Sequence, residues 1–363
     1  MSLTRRSTLG LMAGAVFAPS IVRAQSFPSK VITLVVPYPA GGPTDAIARF
    51  VAQDLTVAFG HNVVVDNRAG ASGAVGTRAV AHAAPDGYTI VFGNNQTHGN
   101  NMFLLKEPGY DAVKDFAPLA GVGAFEHAFV VRNGLPVKNI QELIALAKAD
   151  PGKLNYGSTG VGSGSHLAME LFMQRTGIKM THVPFRGAAP LVQEIVADRI
   201  DIANSTLPSV LEQINAGTLR ALALASPERN PRAKDIPTLR EQGVSNADAD
   251  SWAAFFAPAK TPDDVLDKLS KAVIASLNKP ETREAILKLG FTLKVRDPAA
   301  FKPYHVQEIA TWKQIIAEAG VKPEYAVLRR LFSTSGQAAP TRNSSESAEL
   351  CDEFRVYALL CSE

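Results

Sequence analysis

The chain has 363 residues, 46% of them hydrophobic and 20% charged, an ordinary globular composition long enough for two domains. Both cysteines, Cys351 and Cys361, lie near the C-terminus, so the body needs no disulfide, thiol nucleophile or cysteine metal site. Lys+Arg is 37 against 34 Asp+Glu, but the first 24 residues hold Arg5, Arg6 and Arg23 and no acid. Without that segment the two signs balance, which removes the main support for nucleic-acid binding.

Residues 1–24 read as an export signal. Arg5 and Arg6 precede the apolar run Leu9–Ala18, and Val22-Arg23-Ala24 gives a small-residue end. That run is too short to cross a bilayer, and no later run approaches 18 apolar residues. "TRRSTLGL" resembles a twin-arginine signal, so twin-arginine and ordinary secretion both fit.

Apolar strand-like runs then alternate with helical patterns. "VITLVVPY" precedes a helix over Asp45–Ala58, where Ile47, Val51 and Leu55 share one face. "NVVVDN" leads through a Gly/Ala-rich turn to a helix near Ala74–Ala83, and "YTIVFGN" ends in the polar run Asn94–Asn101. The pattern restarts after "FEHAFVVRNG", with helices expected at Ile140–Ala149, His166–Thr176, Ala189–Ala197 and Pro208–Ala216. "SWAAFFAP" is followed by two long amphipathic helices, Pro262–Leu277 and Pro298–Ala319. Strands that are apolar throughout argue for parallel sheets covered on both faces. The fold class is α/β, in two domains. Residues 25–124 with 252–325 make one, and 125–251 make the other. The two crossings form a two-strand hinge, with the ligand cleft between the domains. The tail over 326–363 is polar and turn-rich and reads as flexible, and a Cys351–Cys361 bridge is possible there.

Two loops carry the chemistry. In "PYPAGGPTD", Pro37 and Pro39 stiffen the exit from a strand, while Gly41 and Gly42 bare their N–H groups. Thr44 or Asp45 is placed to cap the helix, whose N-terminus attracts anions; a plain capped turn is the alternative reading. "NYGSTGVGSGSHLAMEL" repeats the grammar, with Gly160 and Gly162 baring backbone and Ser158, Thr159 and Ser163 offering hydroxyls. His166 begins the next helix, where it serves as a cap or a ligand donor. Both loops follow carboxyl ends of strands, where open α/β sheets bind ligands, and two facing anion sites suit a dicarboxylate. A third turn, "NRAGASGAVG", carries less weight. Enzyme motifs are missing. No G-x-S-x-G elbow, phosphate-binding G-x-x-x-x-G-K-[ST] loop or H-E-x-x-H pair occurs, and "GVGSGS" lacks the acidic partner of a dinucleotide site. No catalytic residue, metal or cofactor is expected.

In their order and spacing, "PSKVITLVVPYPAGGPTDAIAR", "VVVDNRAGASGAVGT", "PDGYTIVFGN", "LNYGSTGVGSGSHLAMELF", "THVPFRGAAP" and "SWAAFFAPAKTP" resemble the Bug family. These are the substrate-binding proteins of tripartite tricarboxylate transporters. The resemblance runs from about Phe27 to Glu324. It implies a two-domain periplasmic binding-protein fold, a small organic-acid ligand, a membrane permease as partner and a monomeric, periplasmic receptor. The family's carboxylate-holding loops fall here on Tyr38–Asp45, including Ala40, and on Ser158–His166. Asn94 and Asn204 end strands aimed at the cleft. Arg186 stands where many relatives have lysine, and it either touches ligand or braces the hinge. A ligand-sensing signalling receptor is the alternative, and a hydrolase using Ser158 or Ser163 a third.

Overall fold

A computed structural model describes residues 27–321. The expected export signal, the tail from 326 onward and the Cys351–Cys361 pairing all lie outside the described residues. Within them, two mixed sheets carry the chain. The first sheet has β1 (Ile32–Val36), β2 (Val63–Asn67), β3 (Thr89–Asn94), β4 (Phe116–Phe125), β10 (Ser251–Pro258) and β11 (Thr292–Arg296), in the order β11-β4-β10-β3-β1-β2. The second has β5 (His127–Arg132), β6 (Asn155–Ser158), β7 (Thr181–Pro184), β8 (Ile202–Thr206) and β9 (Leu219–Leu224), in the order β7-β6-β8-β5-β9. The chain passes from the first sheet to the second at Glu126, between β4 and β5, and returns between β9 and β10.

The sheets are not purely parallel, contrary to the reading of their apolar strands. β1 pairs in parallel with β2 and β3, and β6 with β7 and β8. β10, however, runs antiparallel to both β3 and β4, and β5 antiparallel to β8 and β9. The pattern misleads because β10 is a central strand buried at all eight positions. A strand covered on both faces shows no alternation whichever way its neighbours run.

The helices cover these sheets as their spacing dictates. α1 (Pro43–Phe59) turns Ile47, Ala48, Val51, Ala52 and Leu55 inward and ends at Gly60, whose φ of 66° is the left-handed stop. α2 (Ala74–Ala81) and the short α3 (Asn101–Leu104) complete the first half, with a π-helical turn at Gln96–Asn100 between them. α4 (Ile140–Ala149), α5 (Gly164–Thr176), α6 (Ala188–Val196) and α7 (Leu207–Asn215) surround the second sheet. After β10 come α8 (Asp263–Asn278), α9 (Pro280–Lys288), β11 and α10 (Pro298–Ala319). Sequence reasoning passed over α9 and β11. α9 buries little beyond Thr282 and Ile286, so its apolar signal is weak. Asp54 of α1 ties this corner together, accepting from Ser276, Lys279 and Thr282 at 2.8, 2.8 and 2.6 Å.

β10 also anchors the core. Phe255 stacks on Phe92 with ring centroids 4.3 Å apart, and Phe256, on the other face, stacks on His98 at 4.0 Å. Phe255→Ala removes a fully buried ring at the centre of the six-stranded sheet. It should cost about 3–5 kcal/mol in a urea titration. A loss below about 1 kcal/mol would show that the core repacks around the missing ring.

Candidate functional site

The first loop is folded by its own helix. Gly42, not Thr44 or Asp45, is the N-cap residue of α1, and Pro43 occupies the first helical position, where its missing N–H costs nothing. Asp45 reaches back instead of capping. Its Oδ2 accepts from Gly41 N–H at 3.0 Å and from Arg49 Nε at 2.9 Å, and its Oδ1 accepts from Asn67 Nδ2 at 3.0 Å. Burial raises the Asp45 carboxyl, but the bonds from Arg49, Gly41 and Asn67 outweigh it and hold the group below the usual carboxylate range. Asp45 is thus an occupied brace, and Gly41, with φ +87°, spends its N–H on that brace. The N–H groups of Thr44 and Asp45 have no hydrogen-bond partner among the described residues.

The second loop is braced in the same way. Ser163 caps α5, accepting from His166 N–H at 3.2 Å and donating to the Gly160 carbonyl at 2.7 Å. Gly162 donates its N–H to His166 Nδ1 at 3.1 Å, and Thr159 donates to Ser165 Oγ at 2.9 Å. Gly162 therefore offers no free amide, and His166 serves the loop. The amides left over are those of Gly164 and Ser165, in the first turn of α5. The second loop is tied by protein bonds to the turn at Ser72 and the π-helical turn after β3. Ser72 Oγ and Gln96 Nε2 donate to the Val161 carbonyl at 2.9 and 3.1 Å, and Asn100 Nδ2 donates to the Gly162 carbonyl at 2.9 Å.

Between the loops lies a cavity enclosing about 650 Å³, counting its open mouth. Of the residues singled out from sequence, Tyr38, Gly42, Asp45, Asn94, Thr159 and Ser163 line it. Ala40 and Gly41 face solvent at the loop tip, Arg186 is exposed, and Ser158, Gly160, Gly162 and His166 lie behind the lining. Asn204 does not end a strand; it sits buried at the middle of β8. Sequence reasoning placed helices at Ala189–Ala197 and Pro208–Ala216 but did not count their first turns as part of the site. Gly187, Ala188 and Ala189 at α6, and Thr206 and Ser209 at α7, line the same cavity. The signals were present, since Gly187 (φ +115°) caps α6 and Pro208 marks the first turn of α7. It also missed Asn95, Gln96, His127 and Ser251 on the floor. Four helix N-termini converge on one space.

The family described as "Tripartite tricarboxylate transporter family receptor" matches residues 47–321. The chain belongs to this receptor family. It is 32% identical over 324 residues to Protein BugT of Bordetella pertussis, a match covering 89% of this chain and 99% of that one. Its fold is similar to that of an R. palustris protein with adipate, at TM-score 0.79 and 33% identity over 82% of this chain and 99% of that one. It is also similar to MatC from Rhodopseudomonas palustris with bound malate, at TM-score 0.75 and 30% identity over 80% of this chain and all of that one.

The receptor's cavity holds no cationic side chain. Its ionisable lining groups are Asp45, already braced, the hydroxyl of Tyr38, which burial keeps protonated, and His127. Burial pushes His127 down to about 4, so it is neutral at physiological pH. Behind the second loop, Ser158 Oγ lies 2.7 Å from His182 Nε2, the spacing of a nucleophile and its base. Ser158 is fully buried, however, and does not reach the cavity. The His182 ring is stacked between Tyr156 and His166, at 4.7 and 4.1 Å. The pair braces the loop. Burial pushes His166 to about 4 and His182 to about 3, with the neighbouring His166 adding to the latter.

These buried groups fix the pH profile of stability. A histidine held neutral gives its full stability above about pH 6.5 and loses it as pH falls toward the folded value. Asp250 has the opposite sign. Burial, with Glu126, Asp248 and Glu308 nearby, raises it to about 8, so its contribution is lost as pH rises through 8. Melting temperature should peak near pH ~6.5 and fall on both sides. A scan by differential scanning fluorimetry that climbs steadily to pH 9 would contradict the assignment of Asp250.

Proposed function

We propose that the cavity captures a small organic anion with one or two carboxylates and that the loaded receptor hands it to a tripartite tricarboxylate-type permease. The observation that carries this reading is the convergence of four helix N-termini on a space without a cationic side chain. A helix N-terminus carries roughly half a positive charge and unpaired N–H donors, and several such ends facing one point hold an anion without a fixed counter-charge. The relatives that carry adipate and malate support carboxylates as the class. The family's setting is periplasmic, and residues 1–24 serve as the cleavable signal that takes the chain there. The receptor works as a monomer. Residues 25–124 with 252–325 form one lobe and 125–251 the other, hinged at Glu126 and just before Ser251. It binds and releases without chemistry on the ligand.

A thermal-shift screen of mono-, di- and tricarboxylates tests the reading. A true ligand at about 100 times its Kd should add roughly 2.7 kcal/mol of stability, and its methyl esters should add none. Gly42→Val is the matched variant. Gly42 has an ordinary extended φ of −84°, and a Cβ there meets nothing closer than the Pro39 carbonyl at 4.0 Å. The variant should therefore fold normally while its side chain fills the approach to α1. Binding should weaken by more than the ~1–3 kcal/mol of a single charged hydrogen bond. Calorimetry showing parental affinity would exclude the α1 N-terminus from the site.

A further inference from the structure

A second groove, sharing only Phe291 with the ligand cavity, lies where the segment after β9 meets α9 and β11. It encloses about 1210 Å³, counting its open mouth. Asn230 and Arg232 come from that segment, Arg283 and Leu287 from α9, and Phe291 and Leu293 from the run into β11. Its floor is fixed by hydrogen bonds. Asn230 is 2% exposed and donates from Nδ2 to Glu126 Oε2 at 3.0 Å and to the Gly290 carbonyl at 3.2 Å. Thr292 Oγ1 donates to Glu126 Oε1 at 2.7 Å. Buried Glu126 thus ties both walls to the crossing between the sheets.

The walls carry positive charge. Arg232 and Arg283 line the groove, and Lys294 follows Leu293 on β11. Among the described residues none of these three cations forms a salt bridge. Arg283 bonds the neutral Asn278 side chain, at 3.3 Å. Glu284, the acid in the lining, is engaged by Lys288 at 2.6 Å.

β11 is the end strand of the six-stranded sheet and pairs with β4 on one edge. Leu293 stands opposite Gly123, where an added Cβ would meet the Thr292 carbonyl oxygen at 2.1 Å and the Lys294 backbone nitrogen at 2.7 Å. Those two peptide groups therefore face β4. The N–H and C=O of Leu293, between them, point away from β4, because successive residues of a strand turn their backbone groups to opposite edges. No backbone group outside the sheet pairing bonds to them among the described residues. An open edge of this kind accepts a further strand. A second copy of this chain suits it poorly, since it would set the same cations against each other. An acidic strand suits it well: its backbone pairs with Leu293 while its carboxylates meet Arg232, Arg283 and Lys294. Leu287 and Leu293 are half-buried and leave apolar surface for its remaining side chains.

We propose that this groove is a docking surface for a partner protein, which adds an extended acidic segment to the edge of β11. The docking does not depend on which anion the cavity holds. A partner seated there rests on the crossing that also carries Phe125 and His127, two residues of the ligand cavity.

Fluorescence anisotropy on the full chain tests it, with short labelled peptides of alternating Glu-Val, Gln-Val and Lys-Val sequence. The Glu-Val peptide should bind at least about tenfold tighter than the Gln-Val peptide and weaken as salt rises. Arg232→Glu combined with Arg283→Glu should reverse the order, so that the Lys-Val peptide binds better than the Glu-Val one. Leu293→Pro removes the outward N–H, which an edge strand tolerates because β4 does not use it. It should weaken the Glu-Val peptide at least about tenfold while melting within a few degrees of the parent. Should Leu293→Pro melt early, the charge reversal decides. Failure of the Glu-Val peptide to bind the parent, or parental affinity in either well-folded variant, overturns the proposal. So does a dimer in sedimentation that Leu293→Pro dissociates, which would put a second copy on this edge.

Discussion

The proposed function depends on one constraint: a site for an anion built from backbone ends instead of charged side chains. α1, α5, α6 and α7 each follow a strand directly, as the parallel strands β1, β6, β7 and β8 require, and their first turns line the same space. A lysine or arginine would bring a mobile charge with about 2 kcal/mol of rotamer entropy to lose. Backbone amides are fixed before any ligand arrives, so ordering them costs nothing at the moment of binding. The demand falls on the fold. Each helix start must be held where its free amides face inward, and each loop before it must be stiff.

That demand explains the hydrogen bonding behind the lining. Asp45 would be an awkward residue beside an anion if its charge were free, but Arg49, Gly41 and Asn67 occupy both of its oxygens. Its role is to hold the Ala40–Gly41 peptide while Thr44 and Asp45 keep their own N–H groups unpaired. On the other side, Ser163, Ser165 and His166 consume the amides of Thr159, Gly162 and His166. Those of Gly164 and Ser165 remain. The stacked His166–His182 pair is neutral because it is buried, and it adds no charge to compete with the helix ends.

Much of this was legible in the sequence, for identifiable reasons. The strand–glycine–helix grammar located both loops, because glycine and a small cap leave the same mark wherever a helix starts beside a ligand. The α/β class followed from apolar runs alternating with helical patterns. Strand direction did not follow, since β10 and β5 are buried on both faces and carry no orientation signal. The sequence left Arg186 open between touching ligand and bracing the hinge; it is exposed, while its neighbours Gly187 and Ala188 line the cavity with no charge at all. Ser251, His127 and Asn95 stand far apart in the chain and share no motif. Only the crossing of β4–β5 and the return into β10 brings them together.

In the two-lobe reading proposed above, the division of the helix ends would couple anion binding to closure. α1 belongs to the six-stranded sheet, whereas α5, α6 and α7 belong to the five-stranded one. An anion resting on the second set alone would then meet three helix ends, and the fourth would be added only when α1 faces them. A ligand shifts an equilibrium only through its differential affinity for the two states, and the contribution of α1 is that difference. The direct bonds from Ser72, Gln96 and Asn100 to the carbonyls of Val161 and Gly162 join the two halves as they stand here, and in the same reading they would help to offset the cost of closing. None of them uses an amide that faces the cavity. The protein contacts between the two halves and the amides proposed to hold the ligand are therefore separate sets. The first sets the balance between arrangements, and the second sets how far an anion shifts it.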